Sequence, residues 1–184
     1  MTTTTNTPGT TPAPPATAAG AASREVEDLL SALALHRGFL RHTVRGLTDE
    51  QAARRTTVSE LCLGGLVKHV TLVESGWTGF LTEGPEAVSG TDGDTWADGF
   101  RVLPGERLAD VLDAYDAVAR RTEEVVRSLP DLDADRELPP APWFEPGARW
   151  SARRVLLHVL AETTQHAGHA DVLRESLDGQ KTMG

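Results

Sequence analysis

Four separate stretches of this chain repeat their apolar residues at three- and four-residue steps, and no pair of stretches alternates as partnered strands would. The first stripe is Val26, Leu29, Leu30, Leu33, Leu40 and Val44, which predicts a helix over 24–45, closed before Gly46. Ser23 is its expected N-cap, with Glu25 and Glu27 in the first turn where carboxylates favour the helix dipole. A short polar helix or turn begins at Thr48-Asp49-Glu50-Gln51. The second stripe, Leu66, His69, Val70, Val73, Trp77, Phe80 and Leu81, predicts a helix over 59–81. The third runs through Leu108, Val111, Leu112, Tyr115, Val118, Val125, Val126 and Leu129 and stops at Pro130, which cannot continue a helix. The fourth follows Trp150, with Ser151 as cap, and reaches Leu177 before Asp178-Gly179, where glycine takes the left-handed terminating conformation. This pattern specifies an all-α four-helix bundle whose long connections, 83–105 and 130–149, serve as crossover loops at its ends. Trp96 and Phe100 are read as anchors of the first loop.

Residues 1–22 hold eight Thr and four Pro, no charge and no large hydrophobe beyond Met1. Such a segment buries too little apolar surface to offset its ordering entropy, so a disordered tail is expected ahead of a bundle over 23–179 and a short tail over 180–184. The tail lacks the basic start and apolar stretch of a secretory signal and the arginines of an organellar one. No apolar run spans a membrane. Twenty-seven acidic residues against 18 basic give a net charge of -9, which sets the average field against nucleic acid as a partner. Cys62 is the only cysteine, so an intrachain disulfide is excluded and a reducing cytoplasm is the expected compartment.

The chemistry lies in the fourth helix, in the string HVLAETTQHAGHAD. His158, Glu162, His166 and His169 fall within about 80° of one another at ~100° per residue. They share the face that carries Val155, Leu173 and Leu177, the interior face of a bundle helix. A carboxylate there is costly unless paired or bound to metal. Glu162 and His166, four residues apart, can converge on one ion, and His69, on the apolar stripe of the second helix, supplies the third ligand. A lone histidine on such a stripe is more often a hydrogen-bonded core residue; the Glu162/His166 pair is what shifts the reading. Two histidines and one glutamate leave a fourth position open, as in catalytic zinc sites. His158 and His169 are read as orienting a ligand from outside or as structural. His36 and His42 have no spacing partner. Cys62 is read as a small buried hydrophobe, and Trp77, Trp96, Trp143 and Trp150 as core and loop anchors.

The strings LGGLVKHV (63–70), WSARRVLLHVLAETTQHAGHADVLR (150–174) and LDG (177–179) resemble the DinB superfamily. The resemblance covers about 24–179. Within the superfamily the chain is similar to the branch of small actinobacterial proteins that includes mycothiol-dependent maleylpyruvate isomerase and mycothiol transferases. The resemblance implies a divalent metal, zinc or another ion such as nickel, held by His69, Glu162 and His166, with Glu162 pointing to the mycothiol-type site. It also implies a low-molecular-weight thiol, mycothiol, as co-substrate and a small electrophile as its partner. Arg153 looks like a family arginine that contacts a substrate carboxylate or the metal's surroundings; the other reading is a solvated helix arginine. Arg154, where the branch carries an aromatic residue, and the loop 139–149 depart from the pattern.

On this reading the metal favours thiolate at neutral pH, and the thiolate attacks carbon to give S-transfer or, with later elimination, cis-trans isomerisation. His158, one turn before Glu162, would orient its carboxylate. Two rivals remain: a non-enzymatic metal- or small-ligand-binding protein, and a hydrolase that uses zinc-bound water. Bundles of this kind pair through exposed helix faces, so a homodimer is an option that no stretch of sequence singles out.

Overall fold

The computed structural model describes residues 17–88 and 93–182. Six helices follow in chain order: α1 (Thr17–Thr43), α2 (Asp49–Ala52), α3 (Leu63–Thr82), α4 (Gly93–Asp98), α5 (Leu108–Ser128) and α6 (Ala152–Asp178). A 3-10 turn lies at Pro85–Val88, and two short strands, β1 (Asp135–Glu137) and β2 (Arg149–Ser151), pair antiparallel before α6. The four long helices are those expected. Among the described residues no helix is long and apolar enough to cross a membrane.

Several boundaries differ for physical reasons. α1 starts at Thr17 rather than 24, so Ser23 lies inside it; the run Ala18-Ala19-Gly20-Ala21-Ala22 is rich in the strongest helix former. Of the tail expected over 1–22, residues 17–22 belong to α1 and 1–16 lie outside the described residues. α3 starts at Leu63, because Ser59 Oγ accepts from Leu61 N and Thr57 Oγ1 from Ser59 N, local bonds that compete with a helix. The loop 130–149 holds the unexpected ladder of Asp135 with Ser151, Arg136 with Trp150 and Glu137 with Arg149. Three-residue strands are too short for alternation to reveal. Other signals match: Thr48 and Gln51 form a capping box, Ser151 Oγ accepts from Arg154 N, and Gly179 closes α6 at φ 78°.

Cross-helix pairs set the helix directions. Arg153 meets Glu25 near the starts of α6 and α1, and Arg174 Nη1 reaches the carbonyl of Thr43 near their ends, so these helices are parallel. Lys68 meets Glu106 and Thr78 meets Thr122, so α3 and α5 are also parallel. Trp77 stacks on Trp150, and Arg41 pairs with Asp116 while Arg127 approaches Glu27, so the two pairs run opposite to each other. Parallel neighbours need a return path. The described residues between α3 and α5 mark it, with Ala87 against Gly79 near one end of α3 and Phe100 against Gly65 near the other, whereas the strands in 129–151 stay at one end.

Two apolar clusters fill the interior, one around Leu33, Trp77, Phe80, Val126 and Val155, the other around Leu40, Leu66, Tyr115 and Leu173. Between them each long helix contributes a buried polar group: Arg37, Glu74, Thr122 and, on α6, Thr163 and His166. Glu74 is 0% exposed and is held by the Arg37 guanidinium and by the Thr122 hydroxyl, which donates to Oε1 at 2.6 Å. Full hydrogen bonding is what makes a buried charge tolerable here.

Candidate metal centre

The candidate site lies where α3 and α6 cross in antiparallel contact. His69 comes from the middle of α3, Glu162 and His166 from successive turns of α6, and one ligand atom from each lies within 4.8 Å of the others. Glu162 Oε2 is 3.4 Å from His166 Nε2 and 3.8 Å from His69 Nε2. Ligand atoms about one ion held at ~2.0–2.2 Å stand roughly 3.4 Å apart, so the donor set fits a divalent cation and the two Glu162 distances approach its spacing, while the widest pair of the cluster, within 4.8 Å, would have to draw closer on an ion. The imidazoles of His166 and His69 hold the Glu162 carboxyl far below the usual carboxylate range, against burial, which acts in the opposite direction. Glu162 is therefore ionised across the physiological range. Both histidines are buried, while the Glu162 side chain is 27% exposed, which leaves one side of the cluster facing solvent.

The surroundings hold the rings in place. His166 Nδ1 lies 3.4 Å from His169 Nδ1, so His169 can accept the Nδ1 proton and leave Nε2 directed at Glu162. The Phe100 ring stacks on His69 at 3.8 Å between centroids and 19° between planes. Its seat is built into α3, one turn before His69. A Cβ on Gly65 would lie 2.0 Å from the Phe100 carbonyl oxygen, and one on Gly64 would lie 2.6 Å from Val102. The two glycines let the return segment lie on the helix backbone. Lys68 fastens it, donating to Glu106 at 2.7 and 2.9 Å and to the carbonyl of Arg101 at 3.3 Å. The sequence makes Phe100 only a loop anchor; the adjacent glycines within LGGLVKHV are the signal for this close approach.

His158 does not join the triad. It sits edge-on to Trp77 and Trp150, with ring centroids at 5.0 and 5.2 Å, and acts on Glu162 only through space. Arg153 also lies away from the triad, nine residues and roughly 14 Å along α6 from Glu162. Its Nε donates to Glu25 at 2.5 Å and its Nη1 to Asp133, tying α1 and the loop before β1 to the start of α6. A guanidinium with both carboxylates in place has a structural task. His36 meets Phe39 edge-on, and Cys62 is buried with Sγ 3.9 Å from the Phe100 carbonyl oxygen. Trp77 is a core residue as expected, but Trp96 and Trp143 are 59% and 77% exposed, so neither anchors its loop in the interior.

No curated protein matches the chain significantly. The model of one family, described as mycothiol-S-transferase, matches residues 28–179, a span that begins in α1, includes His69, Glu162 and His166, and ends at the glycine that closes α6. With most of its length so matched, the chain belongs to the mycothiol-S-transferase family.

Proposed function

We propose that this protein transfers a low-molecular-weight thiol, mycothiol, to a small electrophile at a divalent metal held by His69, Glu162 and His166. The observation that carries the reading is the convergence of two imidazole nitrogens and one ionised carboxylate at a partly exposed point of an otherwise apolar interface. Zinc, or nickel in the same donor set, supplies a Lewis acid that lowers the pKa of a thiol brought to it.

The chain's own residues prepare that encounter. Glu162 contributes one negative charge, so a divalent cation with two neutral imidazoles retains a formal site charge of about +1 that favours an anionic sulfur. Phe100 fixes the plane of His69, and His169 the tautomer of His166, so ligand orientation does not have to be established at each turnover. The exposed edge of Glu162 marks the side from which the thiol arrives. In the transfer, sulfur forms a bond to the electrophilic carbon, the leaving group departs with the electron pair of its own bond, and the thiol proton passes to solvent. The family match favours transfer over isomerisation.

The test is mycothiol consumption with a bromobimane acceptor, by wild type and by His69→Ala, Glu162→Ala and His166→Ala. Wild-type turnover that depends on added zinc or nickel and falls at least ~100-fold in each variant supports the reading. Thiol-independent hydrolysis of an ester panel, or metal binding with no turnover of any acceptor, overturns it.

A further inference from the structure

The residue beside Arg153 is placed quite differently. Arg154 is exposed, has no carboxylate partner among the described residues, and lays its guanidinium over the Trp150 ring at 4.4 Å. Trp150 in turn stacks on the buried Trp77 at 4.7 Å, and His158 closes the edges of both rings. Arg154, His158 and Glu162 follow at four-residue intervals, which sets them along one stripe of α6, each about 6 Å from the next along the axis. The stripe thus runs from a fixed cation, over an aromatic floor, to the triad.

We propose that Trp150, Arg154 and His158 form a subsite for a planar, conjugated carboxylate, and that the electrophile of the transfer reaction belongs to that class. This rests on the reading of the triad as the place of thiol transfer. A guanidinium held over an indole face with no carboxylate partner keeps N–H groups free, and those are the donors that match a carboxylate. Arg153 cannot take this part, because Glu25 and Asp133 hold it. Burial lowers the pKa of His158, so its ring is uncharged at neutral pH and presents an apolar, stackable surface between the cation and Glu162. On a chain of net charge -9, an unpaired guanidinium fixed over an aromatic ring is a specific attraction for an anion.

The zinc-loaded full chain is titrated calorimetrically with 3-nitrobenzoate and with nitrobenzene, which share a ring and differ in the carboxylate. Wild type is expected to favour the benzoate, and Arg154→Met to lower the ratio of the two affinities about tenfold. Arg154→Lys should recover part of that ratio, and Trp150→Leu should weaken both ligands. The same comparison in turnover uses mycothiol with 4-chloro-3-nitrobenzoate and 1-chloro-2,4-dinitrobenzene. In both, sulfur bonds to the ring carbon, chloride leaves with the C–Cl electron pair and the thiol proton goes to buffer. The benzoate-to-dinitrobenzene ratio of kcat/KM, corrected for uncatalysed rates, should fall about tenfold in Arg154→Met through KM. Equal ratios in wild type and Arg154→Met overturn the subsite even where transfer itself proceeds. Arg154-dependent binding of nitrobenzoate without transfer to any acceptor supports the subsite and overturns the thiol-transfer reading.

Discussion

Replacing glycine by alanine at three helical positions should produce effects of opposite sign, decided by what each new Cβ meets. At Gly38 in α1 and Gly168 in α6, nothing lies within 4 Å of the added carbon, and both positions are exposed. There alanine keeps only its advantage in helix propensity and unfolded-state entropy, about 0.5–1 kcal/mol. At Gly65 the same carbon would stand 2.0 Å from the Phe100 carbonyl oxygen and 2.5 Å from its carbonyl carbon. Both are backbone atoms, so no rotamer change relieves the clash. The return segment must move by more than ~1 Å, and overpacking of this kind costs about 1–3 kcal/mol or more. The move also disturbs the stack of Phe100 on His69 and the bond from Lys68 to Arg101. Net of the propensity gain, Gly65→Ala should lose roughly 1–2 kcal/mol or more. Urea unfolding monitored by helical circular dichroism gives all three values on one scale, and competition with a chelating dye gives zinc affinity. Gly38→Ala and Gly168→Ala should shift the midpoint upward; Gly65→Ala should shift it downward and weaken zinc binding several-fold. A Gly65→Ala protein as stable as Gly38→Ala, with unchanged zinc affinity, would refute the claim that the glycine seats the segment that positions His69.

Three further outcomes follow from buried or clamped polar groups. Arg37→Met leaves the fully buried Glu74 without its guanidinium and should cost about 3–5 kcal/mol in urea unfolding, with part of the loss recovered when Glu74→Gln is added. The Tyr115 hydroxyl is buried with no hydrogen-bond partner among the described residues, so Tyr115→Phe should be neutral or stabilising by up to ~1 kcal/mol; a loss above that would reveal a partner. Burial raises the Glu106 carboxyl, but bonds from Leu103 N–H and the Lys68 ammonium outweigh it and hold the group below its ordinary value. That stabilisation is present above the unfolded carboxyl pKa near ~4.3 and is lost as pH falls through the lower folded value. Glu106→Gln should therefore cost more stability at pH 7 than at pH 3, and an equal cost at both would count against the clamp.

The four long helices and the triad were legible because both depend on helical spacing alone. Glu162 and His166 lie one turn apart, and His69 interrupts an apolar stripe, so their convergence needed only that α3 and α6 touch. What spacing does not encode is what a connection does in three dimensions. Phe100 reaches His69 because Gly65 lets the backbone approach, a relation between residues 35 apart in the chain that no periodicity carries. The roles of Arg153 and Arg154 were likewise invisible. As neighbours on one helix they point about 100° apart, and only the positions of Glu25, Asp133 and Trp150 decide which is held and which stays free. Local signals also compete: alanine content extended α1 back to Thr17, while Thr57 and Ser59 delayed α3 to Leu63.

The most direct measurement is the metal content of the purified, untagged chain by plasma mass spectrometry, before and after zinc reconstitution, beside His69→Ala, Glu162→Ala and His166→Ala. The account expects about one divalent ion per wild-type chain and near-complete loss in each variant, with helical circular dichroism unchanged. Full occupancy in all three variants, or none in wild type even after reconstitution with zinc or nickel, would contradict it.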